Sequence, residues 1–346
     1  MARELMRRSS GATVSFAGTS RGLEARVLPK EGFELDLIRS AGLKGKSIAA
    51  RLRGALLLPA GFFDAWRLVG RRHPDAVIGV GGYSSGPVVM VAAVRGIPTL
   101  VLEQNVVPGL TNRVLARFVR AAAVTYSETL SFFGRRGFVT GNPVRAEFFA
   151  IPNPESRIPN SNRRLLILGG SQGAHAINMA MVAAAPRLVR SLPGLEVVHQ
   201  TGEKDLAAVR EEYRRSGVPA RTEPFFDAVA REMTAADLVI CRAGATTLAE
   251  LAASGRPAVL VPFPGATDDH QRKNADVLAK AGAAVVIDQQ ELETSRLADA
   301  AVTILGDEAK SAAMSAAMRN FARPDAAARI VDRVFELTGR TEGVAK

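Results

Sequence analysis

Several short segments carry residue types able to hold a phosphorylated ligand. Gly169-Gly-Ser-Gln-Gly173 follows the apolar run Leu165-Leu-Ile-Leu168 and opens a helical pattern, Ala174–Arg190. Glycines let a backbone approach an anion closely. A helix start offers free N–H groups and the positive end of the helix dipole. Ser171 can donate to a phosphate oxygen, although a ligand-free strand-to-helix turn has the same pattern. Gly81-Gly-Tyr-Ser-Ser-Gly86 repeats the argument nearer the N-terminus, with a helix expected to start at Pro87. Arg242-Ala-Gly-Ala-Thr-Thr-Leu-Ala-Glu250 follows the run Asp237–Cys241. There Gly244, Thr246 and Thr247 suit a helix start beside an anion. Glu250, about one turn further, can accept from ribose hydroxyls or be a solvated helical carboxylate. In Thr267-Asp-Asp-His-Gln-Arg-Lys-Asn274, the adjacent Asp268 and Asp269 read as helix N-cap residues sooner than as a metal pair. His270 reads as a surface histidine sooner than as a base. Glu103-Gln-Asn105 and Gly141-Asn-Pro-Val-Arg145 also follow strands, and singly they are structural loops.

These segments need a frame that brings strand ends together. Ten apolar runs look like strands: Thr13–Ala17, Phe33–Ile38, Ala76–Val80, Thr99–Leu102, Ala121–Thr125, Leu165–Leu168, Glu196–Gln200, Asp237–Cys241, Ala258–Val261 and Ala284–Ile287. Helical patterns separate most of them. Continuous rather than alternating apolar runs indicate strands covered on both faces. This predicts an α/β fold of doubly wound parallel sheets, with ligand groups at the C-terminal strand ends. The length of 346 residues predicts two domains. Residues 1–150 form the first, the Pro/Asn/Ser-rich stretch 151–163 a linker and 164–322 the second. Residues 323–346 form a final helix, expected to start at Pro324 and to pack back on the first domain.

Composition narrows the function classes. Apolar residues make up 47% and charged residues 23%, which excludes disorder. The single cysteine, Cys241, excludes a disulfide framework and a Cys-based zinc site. The net charge of +11 favours anionic partners. Aromatics at 5% make a base-stacking nucleic-acid surface a poor expectation. The uncharged stretch Ala76–Val94 is broken by Gly79, Gly81, Gly82, Gly86 and Pro87, so it reads as strand, loop and helix rather than a membrane span. Between Arg39 and Arg72, Arg39, Lys44, Lys46, Arg51, Arg53, Arg67, Arg71 and Arg72 face a single acid, Asp64. They alternate with apolar residues such as Leu58, Phe62, Phe63 and Trp66. Cations beside large apolar groups suit an anionic membrane surface, and a core helix with a solvated basic face fits equally.

In order and spacing these segments resemble the MurG family, over nearly the whole chain. The matching motifs are Gly18-Thr19, Ser40-Ala-Gly-Leu-Lys-Gly-Lys46, Gly81-Gly-Tyr-Ser-Ser-Gly-Pro87, Glu103-Gln-Asn105, Gly109-Leu-Thr-Asn112, Gly141-Asn-Pro-Val-Arg145, Gly169-Gly-Ser-Gln-Gly173, Cys241-Arg242, Gly244-Ala245 and Asp268-Asp-His-Gln271. The resemblance implies a GT-B fold, two Rossmann-like domains facing a cleft. It implies inverting transfer of N-acetylglucosamine from UDP-GlcNAc to lipid I, giving lipid II for peptidoglycan. Asn105, Arg145, Ser171, Phe226 and Gln271 would line the UDP-GlcNAc site. Glu250 would hold the ribose, and Ala245, Thr246 and Thr247 would lie beside the diphosphate. Gln271 and Asn274 would sit near the sugar, and Gly81, Gly82, Tyr83 and Ser84 would hold the acceptor diphosphate. The resemblance implies no cofactor and no dedicated metal. It implies a peripheral protein on the cytoplasmic face of the inner membrane, docked there by the basic apolar segment.

One departure bears on catalysis. Family members begin with a strand and a loop of the type Gly-Gly-Thr-Gly-Gly-His, which this chain lacks. The loop histidine is the family's expected general base, and none of His73, His175, His199 or His270 occupies its place. The expectation is a longer cellular protein starting upstream of Met1. The alternatives are another GT-B enzyme, a glycolipid synthase or UDP-GlcNAc epimerase, and a catalytically dead protein binding UDP-sugar or membrane.

Overall fold

The computed structural model describes residues 1–20, 22, 24–40, 48–149, 163–169 and 174–340, with the backbone alone in 48–57. The chain divides into two compact units, Met1–Pro143 with Asp325–Lys346, and Val144–Pro324. Residues 144–149, read above with the first domain, therefore group with the second. Most of the 151–163 stretch lies outside the described residues.

The first unit begins with α1 (Ala2–Arg8), β1 (Ser15–Gly18), α2 (Glu24–Val27), β2 (Glu34–Leu37) and α3 (Ile48–Arg72). It continues with β3 (Val77–Gly79), α4 (Gly82–Val94), β4 (Thr99–Glu103), α5 (Leu110–Leu115), β5 (Ala121–Val124), α6 (Leu130–Phe133) and β6 (Gly137–Val139). All pairings are parallel. β1 pairs with β2, while β3, β4, β5 and β6 form a separate four-stranded sheet in that order. The central strands β4 and β5 are buried throughout, as the apolar runs Leu100–Leu102 and Ala121–Val124 require.

The helix expected at Pro87 begins five residues earlier, at Gly82. Pro87 has no N–H to give to the Tyr83 carbonyl one turn back. Ser40 supplies the missing donor, its Oγ lying 2.9 Å from that carbonyl. Gly81, at φ +88°, turns the chain from β3 into the helix, a conformation open to glycine and strained for other residues. The stretch Ala76–Val94 is thus strand, two-residue turn and helix. Among the described residues, no helix is long and apolar enough to cross a membrane.

The second unit runs β7 (Arg164–Leu168), α7 (His175–Ser191), β8 (Glu196–Gln200), α8 (Leu206–Arg215), β9 (Ala220–Glu223), α9 (Val229–Ala235), β10 (Leu238–Cys241) and α10 (Ala245–Ser254). Then follow β11 (Ala258–Leu260), α11 (His270–Lys280), β12 (Ala284–Val286), α12 (Thr294–Leu305) and α13 (Glu308–Arg319). Six parallel strands lie in the order β12-β11-β10-β7-β8-β9. Leu165, Ile167, Val197, Leu238, Ile240 and Val259 pack with Ile177, Met181 and Leu188 of α7 and Leu297 of α12 into one core.

The last helix, α14 (Ala326–Thr338), returns to the first unit. Its Ile330 and Val334 close over Leu100, Leu102, Ala121 and Ala123 of β4 and β5. The helix starts at Ala326, two residues past Pro324. Among the described residues there are twelve strands where ten were expected; β6 and β9 are the additions.

Candidate functional site

The strand order of the second unit reverses between β10 and β7, where a crevice opens at the carboxyl ends of a doubly wound sheet. The helices that follow β7, β10 and β11 are α7, α10 and α11. None of the three has a side-chain cap on its first N–H groups. Neighbouring strands thus present three helix starts at the carboxyl edge of the sheet. The dipole of each helix favours a negative charge there, although the first amide of α11, that of His270, already donates to the Thr267 carbonyl.

The start of α10 is the best defined. Gly244 is its N-cap, and the Leu248 N–H bonds back to the Gly244 carbonyl. The amides of Ala245, Thr246 and Thr247 precede that first bond, so the helix itself offers them no acceptor. Glu250 lies further along the same helix, with its side chain 17% exposed. Arg145, in the segment after Pro143, approaches it to 3.8 Å and also pairs with Glu147 at 3.0 Å. Burial pushes the Glu250 carboxyl above its ordinary value; the Arg145 charge opposes this and Glu147 adds to it. A partly desolvated carboxylate with one distant counter-ion is a strong acceptor for hydroxyls, unlike the solvated helical carboxylate that was the other reading. Arg242 plays a structural part. Its guanidinium donates to the Val261 and Pro262 carbonyls and to Gln289, tying the end of β10 to the segment after β11. Cys241 is buried, its thiol pushed up to about 12, and is inert.

At the start of α7, Ser171 lies outside the described residues, but both ends of its segment are in place. Gly169 sits so close to β8 that a Cβ would stand 2.8 Å from the Gln200 carbonyl oxygen and 3.2 Å from Asn178 Oδ1. Glycine is required there by space. A polar chain missed in the sequence runs beneath it. Asn178 Nδ2 donates to the Thr201 carbonyl at 2.9 Å and to Asp205 at 2.7 Å. Its Oδ1 lies 3.0 Å from His199 Nε2, and His199 Nδ1 lies 2.9 Å from the Tyr213 hydroxyl. Asp205 also meets His175 Nδ1 at 3.1 Å. Burial lowers the His199 pKa to about 3, so the ring is neutral and carries one proton between two fixed partners. No sequence signal joins these residues, since they come from α7, β8 and α8.

Before α11, Asp268 and Asp269 both adopt left-handed backbone, at φ +54°. Asp269 occupies the N-cap position without capping through its side chain, which corrects the expected role. Such strain persists only where the surroundings enforce it and is commonest at functional sites. Gln271 Oε1 accepts from the Phe263 N–H at 3.0 Å. Asn274, one turn on, is fully buried. His270 Nδ1 lies 2.5 Å from the Thr267 carbonyl oxygen. Phe226 is buried after β9, with the Arg221 guanidinium 5.0 Å from its ring centre. Among the described residues, no group of three His, Cys, Asp or Glu side chains is placed to hold a metal.

In the first unit, the buried Glu103 organises the loop after β4. Its Oε1 accepts from the Asn105 N–H and side-chain amide, and its Oε2 from the Gly109 N–H and Asn112 Nδ2. Asn105 is therefore held rather than free. Gly81, Gly82, Tyr83 and Ser84 form the start of α4, again without a side-chain cap; the Ser85 hydroxyl bonds the Gly81 carbonyl at 2.6 Å.

Comparison with known proteins covers both units. Residues 1–124 match the Glycosyltransferase family 28 N-terminal domain, and residues 164–330 match the Glycosyltransferase family 28 C-terminal domain. The chain is 43% identical over 359 residues to the UDP-N-acetylglucosamine–N-acetylmuramyl-(pentapeptide) pyrophosphoryl-undecaprenol N-acetylglucosamine transferase of Pelobacter propionicus, covering 98% of this chain and 95% of that one. It is 44% identical over 345 residues to the enzyme of the same name from Anaeromyxobacter sp. strain K, covering 99% and 90%. The crystal structure of Acinetobacter baumannii MurG superposes with a TM-score of 0.78 at 30% identity, over 97% of this chain and 93% of that one.

Proposed function

Because this chain belongs to glycosyltransferase family 28, among the MurG enzymes, we propose that it transfers N-acetylglucosamine from UDP-GlcNAc to lipid I and forms lipid II. The observation that carries this is the start of α10, where uncapped amides precede the half-buried carboxylate of Glu250 on one helix. That pairing suits a nucleoside diphosphate, with the amides on phosphate oxygens and the carboxylate on ribose hydroxyls.

The acceptor 4-hydroxyl attacks the anomeric carbon in line. A C–O bond forms as the bond to the diphosphate breaks, so configuration inverts. The hydroxyl proton goes to a base, and no described histidine is assigned that task. Negative charge grows on the leaving UDP, and fixed dipoles help most where charge develops. The amides of Ala245, Thr246 and Thr247 supply such dipoles, joined by Ser171. Arg145 adds a positive charge beside Glu250. Gln271 and Asn274 orient the sugar, while Asn105 and Phe226 complete the donor site. The start of α4, from Gly81 to Ser84, takes the acceptor diphosphate. No cofactor or metal enters this scheme, and no nucleic acid.

The protein docks peripherally on the anionic cytoplasmic surface of the inner membrane, through α3. Leu58, Phe62, Phe63 and Trp66 are exposed there, while Ala65, Leu68 and Val69 face the core. Arg67 and Arg95 lie against the exposed rings. Other cations of this segment are committed within the unit, Arg39 to Asp64 and Arg71 and Arg72 to Asp36. Lys44 and Lys46 lie outside the described residues, as do the side chains of Arg51 and Arg53.

Incubation with radiolabelled UDP-GlcNAc and lipid I tests the reaction. Label is expected in the lipid fraction with one UDP released per transfer. An epimerised sugar nucleotide and an unlabelled lipid would overturn the proposal.

A further inference from the structure

The first unit holds a second concentration of positive charge that the transfer reaction does not use. Strand β6 is the sheet edge opposite β3, far from the strand that α4 packs on. Beside it, α14 and the turn before β6 enclose a cleft of about 400 Å³. Arg135, Arg136, Arg329 and Arg333 line this cleft, with Asp332 and Glu336. The two carboxylates leave three of the four guanidiniums without a counter-charge. Asp332 pairs with Arg8, outside the lining, at 2.6 Å, and Glu336 neutralises Arg333 alone, at 2.5 Å.

The remaining cations are short of partners. Among the described residues, neither the Arg135 nor the Arg329 side chain makes a hydrogen bond or an ion pair. Among the described residues, Arg136 reaches only the Ala116 carbonyl, at 3.5 Å. The Nε of Arg333 is buried without an acceptor, and its guanidinium lies 5.9 Å from the Phe138 ring centre. Like charges around a concavity repel, and the field they focus there is relieved when a counter-anion enters. Guanidinium forks match phosphate oxygens two by two. The cleft also has the volume of small-ligand sites, roughly 300–1,000 Å³.

We propose that this cleft binds a phosphate-bearing polyanion, at a site separate from those for the sugar donor and its acceptor. The same chemistry is offered by a lipid headgroup and by a free diphosphate, and the test distinguishes them. Wild type and the Arg135→Ala/Arg329→Ala double variant are titrated calorimetrically with inorganic pyrophosphate. Saturating UDP is present to occupy the donor site. Both substituted side chains are exposed, so the variant keeps its fold, checked by circular dichroism. The wild type is expected to bind, with affinity falling steeply as salt rises. The variant binds at least tenfold more weakly, and pyrophosphate raises the melting temperature of the wild type alone.

In the second arm, both proteins are sedimented with phosphatidylcholine vesicles with and without phosphatidylglycerol. A loss by the variant on the anionic vesicles alone assigns the anion to a headgroup. Unchanged sedimentation with weakened pyrophosphate binding assigns it to a free anion. Equal behaviour of the two proteins in both arms overturns the proposal. So does a variant that self-associates through β6 while binding both probes as before, since the arginines would then only shield a strand edge.

Discussion

Glu250 is the side chain on which donor affinity should depend most. A hydrogen bond to a charged group contributes about 1.5–3 kcal/mol. Glu250→Gln is therefore expected to raise KM for UDP-GlcNAc roughly ten- to a hundredfold, with kcat changed far less. Burial raises the Glu250 pKa, so donor affinity in the wild type should fall with pH while an ordinary glutamate is still ionised. In the Gln variant that pH dependence is expected to vanish, which steady-state kinetics across pH would show. For stability the sign is opposite: the folded state favours the neutral carboxyl, so stability rises as pH falls through the raised pKa. His199 behaves in the other direction. Its folded pKa is near 3 against an ordinary 6.5, so between those values the unfolded chain binds the extra proton. Stability is expected to drop by about 1.4 kcal/mol per pH unit as pH falls through that window. His199→Gln should remove the slope and cost about 1–3 kcal/mol at neutral pH, because Tyr213 and Asn178 lose their shared partner. Urea unfolding at several pH values measures both. Thr246, Thr247 and Glu250 were legible because they follow an apolar run in one continuous segment. The Asn178–His199–Tyr213 chain was not, because only folding brings α7, β8 and α8 together.

At the scale of elements, the start of α4 gives a sharp test. Ser40→Ala strips the Tyr83 carbonyl of its donor and is expected to cost about 0.5–1.5 kcal/mol. In a Pro87→Ala background the cost should fall towards zero, since residue 87 regains an N–H for that carbonyl. A double-mutant cycle on unfolding free energies reads the coupling; two additive losses would show that the Ser40 bond is incidental. This substitute donor also explains why the helix start was misplaced. Proline commonly marks the first helical position, and a serine more than forty residues away cannot be read as its compensation. The two strands that escaped notice share a different reason. β6 and β9 are edge strands, and their sequences Gly137-Phe-Val139 and Ala220-Arg-Thr-Glu223 lack the continuous apolar run that marks a strand covered on both faces. The central strands β4, β5, β7 and β10 have that run and were legible.

For the molecule as a whole, charge and exposed apolar area together should govern where it resides. Phe63 is 56% exposed and Trp66 50% exposed; burying the free part of each in lipid would contribute about 1 kcal/mol. The Phe63→Ser/Trp66→Ser variant is expected to bind phosphatidylglycerol vesicles at least tenfold more weakly, while turnover with a soluble acceptor analogue is unchanged. Equal sedimentation of variant and wild type would remove α3 as the docking face. The path of the chain has a further consequence, for the newborn protein. The apolar side chains of β4 and β5 are covered by α14, which is made only after the entire second unit. At roughly 5–20 residues per second, translation leaves Leu100 and Leu102 waiting on the order of ten seconds or more for their cover. The half that leaves the ribosome first is the half that matures last, and during that interval it offers chaperones a greasy, unfinished surface.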